Sequence, residues 1–175
     1  MPTLVLGVGN VLMGDEGVGV HAAVTFAAEP WPDHVSFLDG GTGGFHLLSY
    51  LQDYRRVIMI DATLDDAPPG TVTTLRPRYA TDFPRSLSAH DIGLRDLVEA
   101  AALLGPLPDM TLITVSVAAV QPMVLALSAS IEAAIPLLRR RLAELVVADG
   151  VGSLSLASTT CKEPIACVSP SPDAS

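Results

Sequence analysis

The stretch "LVLGVGNVLMGDEGVG", Leu4 to Gly19, decides the fold. Its apolar start, extended to Thr3–Val8, has the near-continuous character of a strand covered on both faces. A glycine-rich turn follows. The spacing then predicts a helix over Glu16–Ala28, with Asp15 as its N-cap. Strand, glycine turn and helix in this order open a dinucleotide-binding unit, and Asp39, after a second short strand, stands where a ribose-binding acid would be. The fingerprint G-x-G-x-x-G is nevertheless incomplete. Gly7 and Gly9 fit, the sixth position is Leu12, and the next glycine comes only at Gly14. A helix N-terminus attracts a pyrophosphate through its free N–H groups. Asp15 and Glu16 occupy that turn and would repel it. A dinucleotide-binding module is therefore the remote reading, and the loop suits something positive. Gly14, Gly17 and Gly19 are expected to allow a tight turn and a close approach of substrate.

Outward from this loop, strands alternate with helices. Val35–Leu38 reads as a second strand, with the turn "DGGTGG" at Asp39–Gly44 and a helix over Phe45–Leu51. "RVIMIDA", Arg56–Ala62, is the clearest strand. "APPG" at 67–70 is a turn, with Asp65 and Asp66 as turn residues beside it, and the threonines of Thr71–Leu75 suit an edge strand. A long loop, 76–90, precedes a helix over Asp91–Leu104; loops of that length are often functional. "MTLITVSVAAV", Met110–Val120, is a further buried strand. The last helix runs from Ser128 to Val147, with an apolar stripe of Ile131, Ile135, Leu138, Leu142 and Leu145. Pro136 inside it predicts a kink or a late start. The expected fold is a three-layer α/β/α sandwich. Its doubly wound, mostly parallel five-stranded sheet has one antiparallel edge strand. Residues 1–149 form a single domain. From 150 to 175 the chain is rich in Ser, Thr, Pro and Ala and is expected to be a poorly ordered tail.

Composition narrows the function. The 175 residues are 49% hydrophobic, which a sheet buried on both faces absorbs without an oligomer, so a monomer is expected. The most apolar window, 117–138, is broken by Gln121, Pro122, Glu132 and Pro136, short of the roughly 20 apolar residues of a spanning helix. No membrane span is expected. No basic segment leads into an apolar one at the start, so the expected location is the cytoplasm. A net charge of −9 argues against nucleic acid as a partner. The basic run Arg139–Arg141 reads as a solvated helix end, and Cys161 and Cys167, both in the tail, as incidental.

In a doubly wound sheet, sites form where strand order reverses, at the carboxyl ends of the strands. Glu16 follows the first strand, Asp39 the second, Asp61 ends the third, and His90 opens the helix after the long loop. Acids gathered without a cation resist joint ionisation, and a bound cation removes the conflict. Two carboxylates and an imidazole suit a divalent transition metal such as nickel or zinc, with positions left for water or substrate. His21, His34 and His46 do not converge on this edge and read as structural or surface residues.

Five motifs occur in order: "GVGNVLMGDEGVG" (Gly7–Gly19), "DGGTGG" (Asp39–Gly44), "IDA" (Ile60–Ala62), "SAH" (Ser88–His90) and "QP" (Gln121–Pro122). Over about residues 3–147 the chain thereby closely resembles the hydrogenase maturation proteases. These endopeptidases trim the C-terminus of the large-subunit precursor of nickel–iron hydrogenases. The resemblance implies a single α/β/α domain and no organic cofactor. It implies metal ligation by Glu16, Asp61 and His90, with Asp39 as a further motif acid that is not itself a ligand. The metal would be the nickel already installed in the precursor. Two mechanisms fit. Nickel polarises the scissile carbonyl or a water while a carboxylate takes the proton, or nickel only anchors the precursor and Asp39 or a ligand carboxylate activates water in the aspartic-protease manner. No G-x-S-x-G elbow and no H-E-x-x-H helix is present, so attack by activated water is favoured over a covalent intermediate. The rival from another class is an accessory protein that binds nickel and checks the precursor without cutting it.

Overall fold

The apolar runs become the middle of a sheet. The computed structural model describes residues 1–83 and 94–152. In chain order it contains β1 (Thr3–Gly7), α1 (Val18–Ala27), β2 (Val35–Asp39), α2 (Leu48–Asp53), β3 (Arg56–Thr63), β4 (Val72–Leu75), α3 (Leu94–Leu104), β5 (Asp109–Ser116) and α4 (Ala129–Gly152). The five strands lie in the order β2-β1-β3-β5-β4. All neighbours are parallel except β4, which runs antiparallel to β5. This is the expected doubly wound sheet with its antiparallel edge.

Alternation along the strands divides the core between the two faces. Leu4 and Leu6 of β1, Val57 and Met59 of β3 and Leu112 of β5 pack with Leu51 of α2 and with Leu97 and Val98 of α3. Val5, Ile58, Ile60, Ile113 and Val115 point the other way, onto Val18 and Phe26 of α1 and Ile131, Leu138 and Leu142 of α4. Each of these side chains is buried, a contribution of roughly 1.5–3 kcal/mol apiece. Ile135 and Leu145 complete the α4 stripe as half-buried neighbours of that cluster.

Several elements differ from the pattern-based expectation. The segment after the first loop is not one helix. Gly14–Gly17 forms a 3₁₀ turn, and α1 begins only at Val18. Phe45–Leu47 is likewise 3₁₀ before α2. β5 stops at Ser116 rather than Val120, and the exposed Ala118 and Ala119 lead away from the sheet. α4 has no late start at Pro136. It begins at Ala129 and runs on to Gly152, past the expected end at Val147, with exposed Pro136 inside it. The basic run Arg139–Arg141 lies mid-helix and is partly employed. Arg139 pairs with Glu29 and stacks over the ring of Trp31, tying α4 to the end of α1, and Arg141 pairs with Glu144. Asp65 and Asp66 are turn residues as expected: Asp65 accepts the Ala67 N–H, and Asp66 adopts a φ of 59°. The expected tail beyond Gly152, with both cysteines, lies outside the described residues. Among those described, no helix is long and apolar enough to cross a membrane.

Candidate active site

The chain order fixes where the sheet can host chemistry. From β1 it moves outward to β2, then crosses back over β1 to β3. Strand order therefore reverses between β1 and β3, and a crevice opens at their carboxyl ends. β1 ends at Gly7, opposite Ile60, whereas β3 runs on through Asp61 to Thr63 beside β5. Asp61 is thus the first residue of β3 with no β1 residue opposite it. Val8 makes the last link, its N–H donating to the Ile60 carbonyl.

The turn carrying Glu16 is held against this crevice by close backbone packing. Gly9 has a φ of 138°, and a Cβ there would stand 2.0 Å from the Glu16 carbonyl oxygen. A Cβ on Gly19 would stand 2.2 Å from the Ile60 carbonyl oxygen, so the first turn of α1 sits directly on β3. The space at Gly14, Gly17 and Gly19 is taken by Gln121, Val11 and Ile60 of the chain itself. That corrects the expectation that these glycines admit substrate.

Glu16 is 8% exposed and Asp61 is half-buried. Burial pushes the Asp61 carboxyl up to about 7. Its bond from the Ala62 N–H, at 2.8 Å, pulls the other way, and the nearby Glu16 charge adds to the rise. The Glu16 charge is thus close enough to make ionising Asp61 harder. A cation bound beside both carboxylates would ease that ionisation.

The adjacent acid has a different task. Asp15 is 1% exposed and does not cap the helix that follows it. Its Oδ1 accepts the Ser128 N–H at 2.7 Å, and its Oδ2 accepts the Gln121 Nε2–H at 3.0 Å. Its own N–H donates to Gln121 Oε1 at 2.9 Å. The Gly14 N–H donates to the Val124 carbonyl and the Gln121 N–H to the Met13 carbonyl. This clasp fastens the 117–128 loop onto the Glu16 turn and satisfies a backbone donor at the start of α4. Gln121 stood in the weak "QP" motif, and only the three-dimensional pairing reveals its work.

Asp39 lies one strand over, at the carboxyl end of β2 in register with Gly7. Its Oδ1 accepts the Gly41 N–H at 2.8 Å, an Asx-type turn that sets the "DGGTGG" loop. The Gly9 N–H donates to the Gly41 carbonyl and joins the two loops.

Of the four expected site residues, Glu16 and Asp61 come together, Asp39 borders the next loop, and His90 lies outside the described residues. Among the described residues, no three His, Cys, Asp or Glu side chains are grouped to hold a metal ion. His34 and His46 are exposed, and His21 is half-buried within α1 with an enclosed, unpartnered Nε2.

Sequence and fold comparisons point the same way. Residues 20–145 match the hydrogenase maturation protease family. The chain is 36% identical over 150 residues to the hydrogenase 2 maturation protease of Escherichia coli, covering 83% of this chain and 91% of that one. It is 40% identical over 108 residues to the hydrogenase expression/formation protein HupD of Bradyrhizobium diazoefficiens, covering 60% of this chain and 56% of HupD. The chain thus spans little more than half the length of the HupD relatives it matches. The solved hydrogenase maturating endopeptidase HybD of Escherichia coli superposes with a TM-score of 0.69 at 36% identity, over 83% of this chain and 92% of that one.

Proposed function

This chain belongs to the hydrogenase maturation protease family, and from that premise we propose that it is an endopeptidase acting on the precursor of a nickel–iron hydrogenase large subunit. It removes the precursor's C-terminal extension once nickel has been installed. Nickel is part of the substrate, and Glu16, Asp61 and His90 are the residues that engage it.

One observation carries this reading: two neighbouring buried or half-buried acids, Glu16 and Asp61, at the switch point of the sheet, with the Glu16 charge adding to the rise of Asp61. The Glu16 charge raises the cost of ionising Asp61, and a divalent cation beside both would lower it. Carboxylate oxygens and an imidazole suit borderline transition metals. The precursor's nickel thereby becomes the signal that docks the cleavage segment.

Cleavage follows by water attack. The water oxygen forms a bond to the scissile carbonyl carbon as a carboxylate, Asp61, takes its proton. The C–N bond then breaks, and the departing amine receives that proton. The glycine-packed Glu16 turn and the Asp15–Gln121 clasp hold the site on rigid elements.

The test is to mix the protein with nickel-loaded precursor and follow the mass of the large subunit. Loss of a C-terminal peptide, abolished by Glu16→Gln, is the expected result. Tight binding with unchanged mass sinks the proposal in favour of a non-proteolytic nickel-binding checkpoint.

A further inference from the structure

The sheet ends on one side at β2, which among the described residues pairs only with β1. Edge strands are ordinarily kept from pairing with another chain by charges, above all Lys, or by Pro. Val35–Leu38 carries neither, and all of it is half-buried rather than covered.

The bonds to β1 tell which backbone groups of β2 point outward. The Thr3 N–H donates to the His34 carbonyl, and the Gly40 N–H donates to the Gly7 carbonyl. A strand bonds one neighbour through alternate residues. With Thr3 opposite Val35 and Gly7 opposite Asp39, the groups of His34, Ser36, Leu38 and Gly40 face β1. Those of Val35, Phe37 and Asp39 face away. The Val35 N–H is already used, donating to the Pro32 carbonyl at 2.9 Å.

This pattern of partial charge is complementary to itself. In an antiparallel pair, two opposed residues exchange both their hydrogen bonds. With Phe37 on a two-fold axis, it exchanges both bonds with Phe37 of a second copy. The Asp39 N–H then meets the second copy's Val35 carbonyl, the outward acceptor whose own N–H is spoken for. Only the Asp39 carbonyl is left to solvent. The side chains agree: Phe37 opposes Phe37, Ser36 opposes Leu38 and Val35 opposes Asp39, so no like charges meet.

We propose that the outer edge of β2 is the interface of a two-fold dimer, in which two copies of this chain join their sheets into one through Val35–Asp39. The interface is isologous and closes on itself. Antiparallel pairing turns the carboxyl edges of the two sheets in opposite directions, so both crevices stay open. Each Asp39 N–H is held by the other copy, which braces the start of the "DGGTGG" loop. The apolar content that favoured a monomer concerns the faces of the sheet and leaves its edge free to pair. None of this depends on the proteolytic reading.

Sedimentation equilibrium of the full-length protein tests it. Wild type should show a monomer–dimer equilibrium. Phe37→Pro removes the central donor of both copies and no bond to β1, the one kind of strand position that tolerates proline. It should raise the dimer Kd about 10- to 100-fold, the scale of two neutral hydrogen bonds. Amide exchange of wild type gives a second reading that needs no variant. The N–H groups of Phe37 and Asp39 should exchange more slowly as protein concentration rises, while those of Ser36 and Leu38 should not change. A wild type that stays monomeric at about 100 μM overturns the dimer. So does a dimer whose Kd ignores Phe37→Pro in a folded variant, or one in which Phe37 and Asp39 exchange at the monomer's rate.

Discussion

Asp61 shows how one buried residue sets the pH behaviour of the molecule. Its carboxyl is raised from 3.8 to about 7, chiefly by burial, with the Glu16 charge adding and the Ala62 N–H opposing. A raised acid binds its proton more tightly in the folded state than in the unfolded one. The contribution of Asp61 to stability is therefore full below about pH 4, falls as pH rises toward 7, and is lost above it. Asp61→Asn removes this loss while keeping an acceptor for the Ala62 N–H. The variant and wild type should melt alike near pH 4. At pH 8 the variant should be the more stable by about 1–3 kcal/mol, below the full shift because the side chain is only half-buried. Melting curves of both proteins across pH check this, and a difference between them that stays constant from pH 4 to 8 contradicts it. Adding nickel at pH 8 should raise the wild-type Tm and leave the variant's unchanged. The sequence already pointed to Asp61, because it ends a strand at the sheet edge where Glu16, Asp39 and His90 were expected to converge. It assigned Glu16 to the site and Asp15 to an N-cap, but the clasp that Asp15 makes instead was not visible. The two are consecutive, and which one faces the crevice depends on the 3₁₀ geometry of Gly14–Gly17.

At the scale of elements, what was legible follows from burial. β1, β3 and β5 are covered on both faces, so β1 and β3 carry near-continuous apolar runs, and β5 buries Thr111 and Thr114 among its apolar residues. β4 shows its edge position in its exposed threonines. The late start of α1 was not legible, because it depends on contacts with β1 and β3 rather than on helix propensity. The early end of β5 was hidden for the same reason: its continuation leaves the sheet to reach the first loop. The bonds that dock it join Gln121 to Asp15, 106 positions away, and no local pattern links the two. That clasp is testable. Gln121→Ala removes a donor to a buried carboxylate and an acceptor from its N–H. It should cost about 1–3 kcal/mol of stability. Cleavage should fall further than stability alone explains, since the Glu16 turn loses its outer support. Gln121→Glu, which sets a like charge beside Asp15, should be at least as damaging. A Gln121→Ala protein with wild-type Tm and wild-type kcat/KM removes the clasp from the account of the site.

For the whole molecule, the question is where the folded unit is closed, and α4 answers it. Its buried residues seal the sheet face opposite α2 and α3, and Val146 is the last of them among the described residues. Its C-terminal half also satisfies a buried charge. Arg56, 1% exposed at the start of β3, donates to the Leu145 carbonyl at 3.1 Å. Burial lowers the proton affinity of this guanidinium, and Asp109 opposes that shift. A chain cut after Arg141 loses Leu142, Leu145 and Val146 and the carbonyl that meets Arg56. Burial of three apolar side chains and one charge-assisted bond is together comparable to the whole stability of a domain, about 5–15 kcal/mol. That truncation should be unfolded at 37 °C, without a cooperative melting transition. A chain ending at Gly152 keeps every described core residue and should melt within about 2 °C of the full-length protein, with undiminished precursor cleavage. The two truncations differ by eleven residues of one helix. If both melt cooperatively, the sheet face is sealed without the end of α4, and the Arg56–Leu145 contact is dispensable.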